Sequence, residues 1–263
     1  MFLIDSAKNV APPKLELIAE KIVLPAHRPE ISRSRLLNIL AGSVTSCTST
    51  ILSGRAGTGK TSLALEFART CGRPIAWYKV DAPEADLAIF FAYLVASIRQ
   101  SCPRFGMKTL LPLVKIADED HVRLLTEAFI YELEEDTNPL LIVIDDLHLV
   151  YDSPWLVPFF RRVLPLLPSH VHMLITSRTM PPAPLWRMRS KQTLLVINEE
   201  TLAFSRPEAI ALFESYGLSN DYASIALDHT HGRAAALAGF AAALKTKRNS
   251  VDLTADTRPL NRH

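Results

Sequence analysis

The sequence predicts an α/β protein in which a five-stranded parallel sheet is followed by a small helical unit. Three observations predict this. Strand-like apolar runs alternate with segments of helical period between residues 44 and 197, the pattern of βα units whose strands lie parallel. The run Leu140, Leu141, Ile142, Val143, Ile144 is continuously apolar and suits a strand buried on both faces. Beyond Thr201 only helical segments remain, at 206–216, 221–228 and 232–245.

In chain order, residues 1–23 read as an N-terminal extension broken by Pro12 and Pro13. The stretch 24–29, with Pro25 and Pro29, reads as an extended connection, because proline disfavours helix in the residue before it. Leu36, Leu37 and Leu40 mark a short amphipathic helix over 32–40. Strands are expected at 44–52, 74–80, 140–146, 171–175 and 193–197. Helices are expected at 60–70, 85–100, 119–134 and 155–167, with a loop or broken helix at 103–113 around Pro112. Trp77 is expected in the core. The implied organisation is an extension over 1–23, an α/β core over 24–198, a helical unit over 199–247 and a flexible polar tail over 248–263.

Composition narrows the class. The chain has 263 residues, 48% hydrophobic and 21% charged, with a net charge of +2. That is the balance of a soluble globular protein rather than a nucleic-acid coat. The three cysteines, Cys47, Cys71 and Cys102, have no metal-ligand or C-x-x-C spacing. No signal peptide or membrane-spanning run is read, so the expected location is cytoplasmic. Helices at 208–227 around Gly217 superficially resemble helix-turn-helix. The second, over 222–227, carries no base-reading side chain, so direct DNA binding within this chain is not expected.

The chemistry is concentrated in Gly54, Arg55, Ala56, Gly57, Thr58, Gly59, Lys60, Thr61 and Ser62. The first eight fit G-x-x-x-x-G-K-[ST] between a strand and a helix. Glycines let successive backbone N–H groups turn onto phosphate oxygens. Lys60 brings a cation to the β- and γ-phosphates, and the Thr61 hydroxyl is a Mg²⁺ ligand. The helix that follows directs its positive end at the same place. Asp145 and Asp146 end the buried strand, and strand C-termini of a parallel sheet face the ligand crevice. Asp145 is placed to hold Mg²⁺ beside Thr61, and Asp146 to polarise a water for attack on the γ-phosphate. Adjacent acids on a strand point to opposite sides, which separates a metal role from a base role. Arg178, after Thr176 and Ser177, would sense or stabilise the γ-phosphate if its strand lies beside the loop strand. His148 reads equally as a site residue or an ordinary half-buried histidine.

Together these motifs resemble the signal-transduction NTPases with numerous domains, the STAND class, and within it the ATPase module of the large maltose-activator/LuxR-type transcriptional regulators. The resemblance runs over about 21–245. It rests on Ser53 to Thr61, Trp77-Tyr78-Lys79-Val80-Asp81, Ile144-Asp145-Asp146-Leu147-His148, Thr176-Ser177-Arg178 and Leu202-Ala203-Phe204-Ser205-Arg206-Pro207-Glu208-Ala209. It implies an AAA+/STAND-like P-loop core, with the Thr-Ser-Arg strand between the loop strand and the Asp-Asp strand, and a helical lid. It further implies ATP or ADP as ligand with Mg²⁺, slow hydrolysis serving a switch, and nucleotide contact by an arginine before the first helix. Arg33 is the first match to that arginine and Arg35 the second. Where relatives carry Gly-x-Pro or Gly-Trp-Ala, this chain has Gly232-Arg233-Ala234, so a proline contact to nucleotide is not carried over.

The implied function is an ATP-binding signal-transduction switch within a transcriptional regulator. The other readings are a small-molecule kinase or related metabolic enzyme, and a nucleotide-bound scaffold without turnover. The chain stops short of a sensor or DNA-binding domain, so the expectation is either a module of a larger regulator or a short protein. In either case it would act through a protein partner or by self-association through the NTPase module.

Overall fold

A computed structural model describes residues 17–115, 118–191 and 193–256. Five parallel strands, β1 (Ser49–Ser53), β2 (Ile75–Lys79), β3 (Leu140–Asp145), β4 (Val171–Ser177) and β5 (Leu194–Ile197), form one sheet in the order β2-β3-β4-β1-β5. β4 therefore lies between β1 and β3, pairing Ile51 with Ile175 on one side and Ile144 with Ile175 on the other. β1, β3 and β4 are buried along their whole length, as expected for strands covered on both faces.

Alternation along each strand sends successive side chains to opposite faces. Ile51, Tyr78, Ile142, Ile144, Met173 and Ile175 meet α3 (Leu87–Arg99), α5 (Val122–Glu135) and α6 (Leu156–Leu166). The rings of Phe90, Phe91, Phe129 and Phe159 interlock there, largely edge to face, the arrangement that aromatic quadrupoles favour. Leu52, Trp77, Leu141, Val143 and Leu174 face the other way, onto α1 (Ser34–Ser46) and α2 (Lys60–Thr70). Trp77 is buried, as a core residue should be. Short helices α4 (Leu110–Val114) and α7 (Ala183–Trp186) complete the layers.

The C-terminal helices have a core of their own. α8 (Glu199–Leu202) still packs through Leu202 on the sheet, whereas in α9 (Arg206–Ser215), α10 (Asn220–Thr230) and α11 (Ala234–Asp256) a separate cluster gathers Ala209, Leu212, Phe213, Ala226 and Leu237. α9 starts on a capping box in which Ser205 and Glu208 satisfy each other's backbone donors, with Pro207 in the first turn.

Element boundaries differ from the sequence expectation in several places. The first helix runs to Ser46 and the first strand starts only at Ser49. Val44 and Thr45, read as strand, are helical: Val44 packs with Leu36 and Leu40 against the sheet, and that packing overrides the strand preference of branched side chains. Residues 85–86 lie outside α3: a 3-10 turn at Ala82–Ala85 precedes it, and Asp86 caps it by accepting from the Ile89 amide. α11 continues to Asp256, so 248–256, assigned to the polar tail, is helical. No glycine or proline interrupts it there. The rest of that tail, 257–263, and most of the N-terminal extension, 1–16, lie outside the described residues. Among the described residues no helix is long and apolar enough to cross a membrane.

Candidate functional site

The sheet order carries the ends of β1, β4 and β3 side by side, and three polar groups meet there. The Thr61 hydroxyl, in the first turn of α2, donates to Asp145 Oδ1 at 3.0 Å. The Thr176 hydroxyl donates to the same oxygen at 2.6 Å. Thr176 in turn accepts the Asp146 backbone N–H at 2.9 Å. Asp145 is buried. Burial, with Asp146 adding to it, pushes its carboxyl above the usual range, against the two hydroxyls that favour the anion. Thr61 and Asp145 thus form a pair of hard oxygen donors suited to Mg²⁺, which takes one or two protein ligands and keeps the rest for water and phosphate.

Asp146 does not continue the strand. Its φ of 61° is left-handed, so the two acids are separated by a backbone turn rather than by strand alternation, which corrects the reason given above for their divergence. The turn brings Asp146 Oδ1 within 3.9 Å of Arg178 Nε and 3.7 Å of His148 Nδ1. His148 Nδ1 is buried without a hydrogen bond, and burial holds its pKa below the ordinary value. Arg178 is half exposed at the end of β4, beside the loop strand.

The loop between β1 and α2 is shaped by two left-handed glycines, Gly57 (φ 80°) and Gly59 (φ 86°). Lys60 Nζ donates to the carbonyls of Gly54 and Arg55, at 2.5 and 2.9 Å. Burial lowers its pKa, while Asp146 works in the opposite direction. Thr58 Oγ1 closes the turn onto the Arg55 carbonyl at 3.0 Å.

The helical unit touches this loop directly. Arg233 Nε and Nη2 donate to the Ala56 carbonyl at 3.1 and 2.6 Å, and the Ala235 amide donates to the Gly57 carbonyl at 2.8 Å. Glu199 accepts from the Arg55 amide at 3.0 Å and from its guanidinium at 2.7 Å. A Cβ on Gly54 would stand 3.2 Å from the Glu199 Cβ, and one on Gly57 only 2.8 Å from the Ala235 Cβ. Glycine is needed there for approach as well as for φ.

Between loop, helical unit and the segment before α1 lies a cavity of about 260 Å³. Gly57, Gly59, Ser62, His27, Ile31 and Ala234 help to line it. Arg33 closes one side. It is 5% exposed, stacks 4.1 Å from the Phe204 ring, and donates through Nη2 to Glu208 and to the Ala203 carbonyl at 3.1 Å each. Its Nε and Nη1 are buried with no partner. Two orphaned cationic donors beside a glycine-lined loop fit an anionic ligand such as a nucleotide. Arg35 is half exposed and joins the same Glu208 and the Ala203 and Thr201 carbonyls, so it braces the helical unit rather than lining the cavity.

Sequence reasoning did not single out Glu199, Arg233 or the 27–31 segment as parts of this site; it placed Thr176 with Arg178 near the γ-phosphate, without the bond that Thr176 makes to Asp145. Only Gly232-Arg233-Ala234 had drawn notice, as a departure from a pattern.

Comparison with known proteins follows the same lines. The family model described as an AAA ATPase domain matches residues 30–175. The HTH-type transcriptional regulator MalT of Yersinia enterocolitica is 31% identical over 225 residues, 84% of this chain and 24% of that protein. MalT of Cronobacter sakazakii is 30% identical over 200 residues, 75% of this chain and 22% of that protein. The chain thus spans about a quarter of the length of these curated relatives. Among solved structures, a Signal Transduction ATPase with Numerous Domains (STAND) protein with a tetratricopeptide repeat sensor, from Pyrococcus horikoshii, superposes with a TM-score of 0.54 at 22% identity. That match covers 79% of this chain and 29% of that one.

Proposed function

This chain belongs to the AAA ATPase domain family, as a STAND-class P-loop NTPase related to MalT-type regulators, and on that premise we propose that it is an ATP-driven conformational switch. The observation that carries the proposal is the direct bonding of the helical unit to the phosphate loop through Arg233, Ala235 and Glu199. A ligand that fills the loop acts on the same backbone that the helices hold, so its differential affinity for two arrangements can bias them.

In this reading residues 199–247 form a lid over a core spanning 24–198. Backbone amides from Ala56 to Ser62, with Gly54 and Arg55 holding the start of the turn and Gly57, Thr58 and Gly59 shaping it, cradle the phosphates of ATP or ADP. Lys60 and Arg178 neutralise the terminal phosphate charge, and Arg33 contributes its free donors from the side of α1. Thr61 and Asp145 hold Mg²⁺, whose chemistry is charge neutralisation on the β- and γ-phosphates. Asp146 orients the attacking water, and its carboxylate is kept in position by Arg178 and the left-handed turn. His148, half-buried with its pKa held down by burial, stands with its buried Nδ1 3.7 Å from Asp146 Oδ1. Turnover is slow, and the output passes to the remainder of a transcriptional regulator in the cytoplasm, by partner binding or self-association.

Single-turnover ATP hydrolysis with Mg²⁺, with and without small hydroxyl or amine acceptors, tests this. Slow acceptor-independent hydrolysis is expected, and Asp146→Asn should lose it while still binding nucleotide. Rapid transfer to an acceptor would replace the switch with a kinase. ATP and ADP binding with equal affinity, and no hydrolysis, would replace it with a scaffold.

A further inference from the structure

The two margins of the sheet are not alike. At the β2 margin the 3-10 turn Ala19–Lys21 packs nearby, Lys21 Nζ lies 2.8 Å from the buried Glu84, and Ala76, Trp77 and Tyr78 are all buried. At the other margin, among the described residues, β5 pairs with β1 alone, and its central residues Leu195 and Val196 are half-buried. Ser49 donates to the Thr193 carbonyl at 3.1 Å. By the alternation of a parallel ladder, Leu194 and Val196 turn their N–H and C=O groups away from β1.

An open groove of about 830 Å³ runs along this edge, floored by Leu194, Leu195 and Val196 and walled by Trp186, Arg187 and Arg189. The Arg189 guanidinium stacks 4.1 Å from the Trp186 ring, which fixes its charge beside the strand. A second groove of about 310 Å³ continues past Arg187 to Arg161 and Pro165. Among the described residues no carboxylate lines either groove.

We infer that the β5 edge is a docking site for an extended, acidic segment of a partner protein, which adds to the sheet as a sixth strand. The unpaired backbone groups supply the main-chain bonds of strand addition. The apolar floor takes alternate side chains, and Arg189 selects a carboxylate between them. A second copy of this chain is the wrong occupant, because edge-to-edge pairing would set the two copies of Arg189 against each other. Nucleic acid matches the charge but leaves the apolar floor and the outward N–H groups unused.

The test uses a fluorescein-labelled synthetic peptide of about nine alternating valine and glutamate residues, a lysine-for-glutamate counterpart, and a labelled DNA duplex, each titrated into the full chain by anisotropy. Expected is saturable binding of the glutamate peptide alone, weakened roughly tenfold or more by Arg189→Glu. Amide exchange at Val196 should slow at least tenfold on binding, because an added strand pairs that N–H. Val196→Pro should abolish binding, since proline removes the outward donor and is tolerated on an edge. If that variant unfolds, Arg189→Glu, an exposed change, and the exchange measurement still decide. Equal binding of the lysine peptide, preferential binding of the duplex, failure of all probes to bind, or Val196 protection from self-association in sedimentation would each overturn the proposal.

Discussion

Arg233 of the helical unit holds the carbonyl of Ala56 in the phosphate loop through two donors, at 3.1 and 2.6 Å. The bond crosses from one hydrophobic core to another. It joins a residue just ahead of α11 to the turn whose glycines face the cavity. Removing it should therefore change the loop and the helical unit together. Arg233→Ala is expected to speed amide exchange across both 54–59 and 233–237 and to weaken nucleotide binding about fivefold, the scale of one hydrogen bond. Calorimetric titration and exchange mass spectrometry check both. The melting temperature should move little, since Arg233 is exposed.

Gly57 combines two demands, a φ of 80° and a 2.8 Å approach of the Ala235 Cβ to the place a Cβ would take. Gly57→Ala should cost about 1–3 kcal/mol in chemical denaturation, from the left-handed backbone and the contact together. Ala235→Gly in the same chain should recover the steric share and leave the conformational share, which a double-mutant cycle resolves.

Arg33 and Glu208 form a 3.1 Å ion pair that is mostly out of solvent on both sides. Arg33 is held below its usual pKa mainly by burial, with Glu208 opposing. Removing one partner leaves a buried charge uncompensated, so Glu208→Ala should destabilise the fold by about 3 kcal/mol. Arg33→Lys keeps the charge but loses the planar stack on Phe204, the Nη2 bonds to Glu208 and Ala203, and the two free donors Nε and Nη1. It should reduce nucleotide affinity at least tenfold, measurable by titration with ATP and ADP.

His172 links β4 to β1 and the end of α1. Its Nε2 lies 3.1 Å from the Thr50 hydroxyl and its Nδ1 3.2 Å from the Cys47 carbonyl. Burial pushes its pKa down to about 4 from the ordinary 6.5. The unfolded chain takes up a proton below pH 6.5 and the folded chain only near 4. This group's contribution is therefore intact above pH 6.5 and is lost as pH falls through that window, by about 3 kcal/mol in all. Denaturation midpoints measured between pH 7 and 4 should fall accordingly. His172→Gln should flatten the decline, although its starting stability is lower.

Much of the site was legible because its chemistry sits in contiguous residues. Gly54 to Ser62 carries its own conformational and charge requirements, and the apolar run before Asp145 reveals a buried strand whatever its neighbours. The order of strands, with β4 between β1 and β3, came from resemblance, since no local pattern encodes which parallel strands are adjacent. What was not legible depends on distant residues meeting. Thr176 becomes the hydroxyl that ties Asp145 to the Asp146 amide only once β4 lies against β3. Glu199 looks like an ordinary acid in a helix's first turn until Arg55 lies beneath it. Val44 and Thr45 were misread because β-branched residues mark strands on average. Here the packing of Leu36, Leu40 and Val44 on one helix face decided instead.

The left-handed backbone of Asp146 has a consequence for how this sequence can change. A residue with a Cβ bears a cost in that conformation which glycine escapes, and aspartate bears less of it than most. Selection for thermal stability alone would drift position 146 toward glycine and discard the carboxylate beside Arg178. An aspartate held there marks a position where robustness and chemistry pull in opposite directions. Variants recovered from a heat-challenge screen should be enriched in substitutions at 146 that sacrifice turnover.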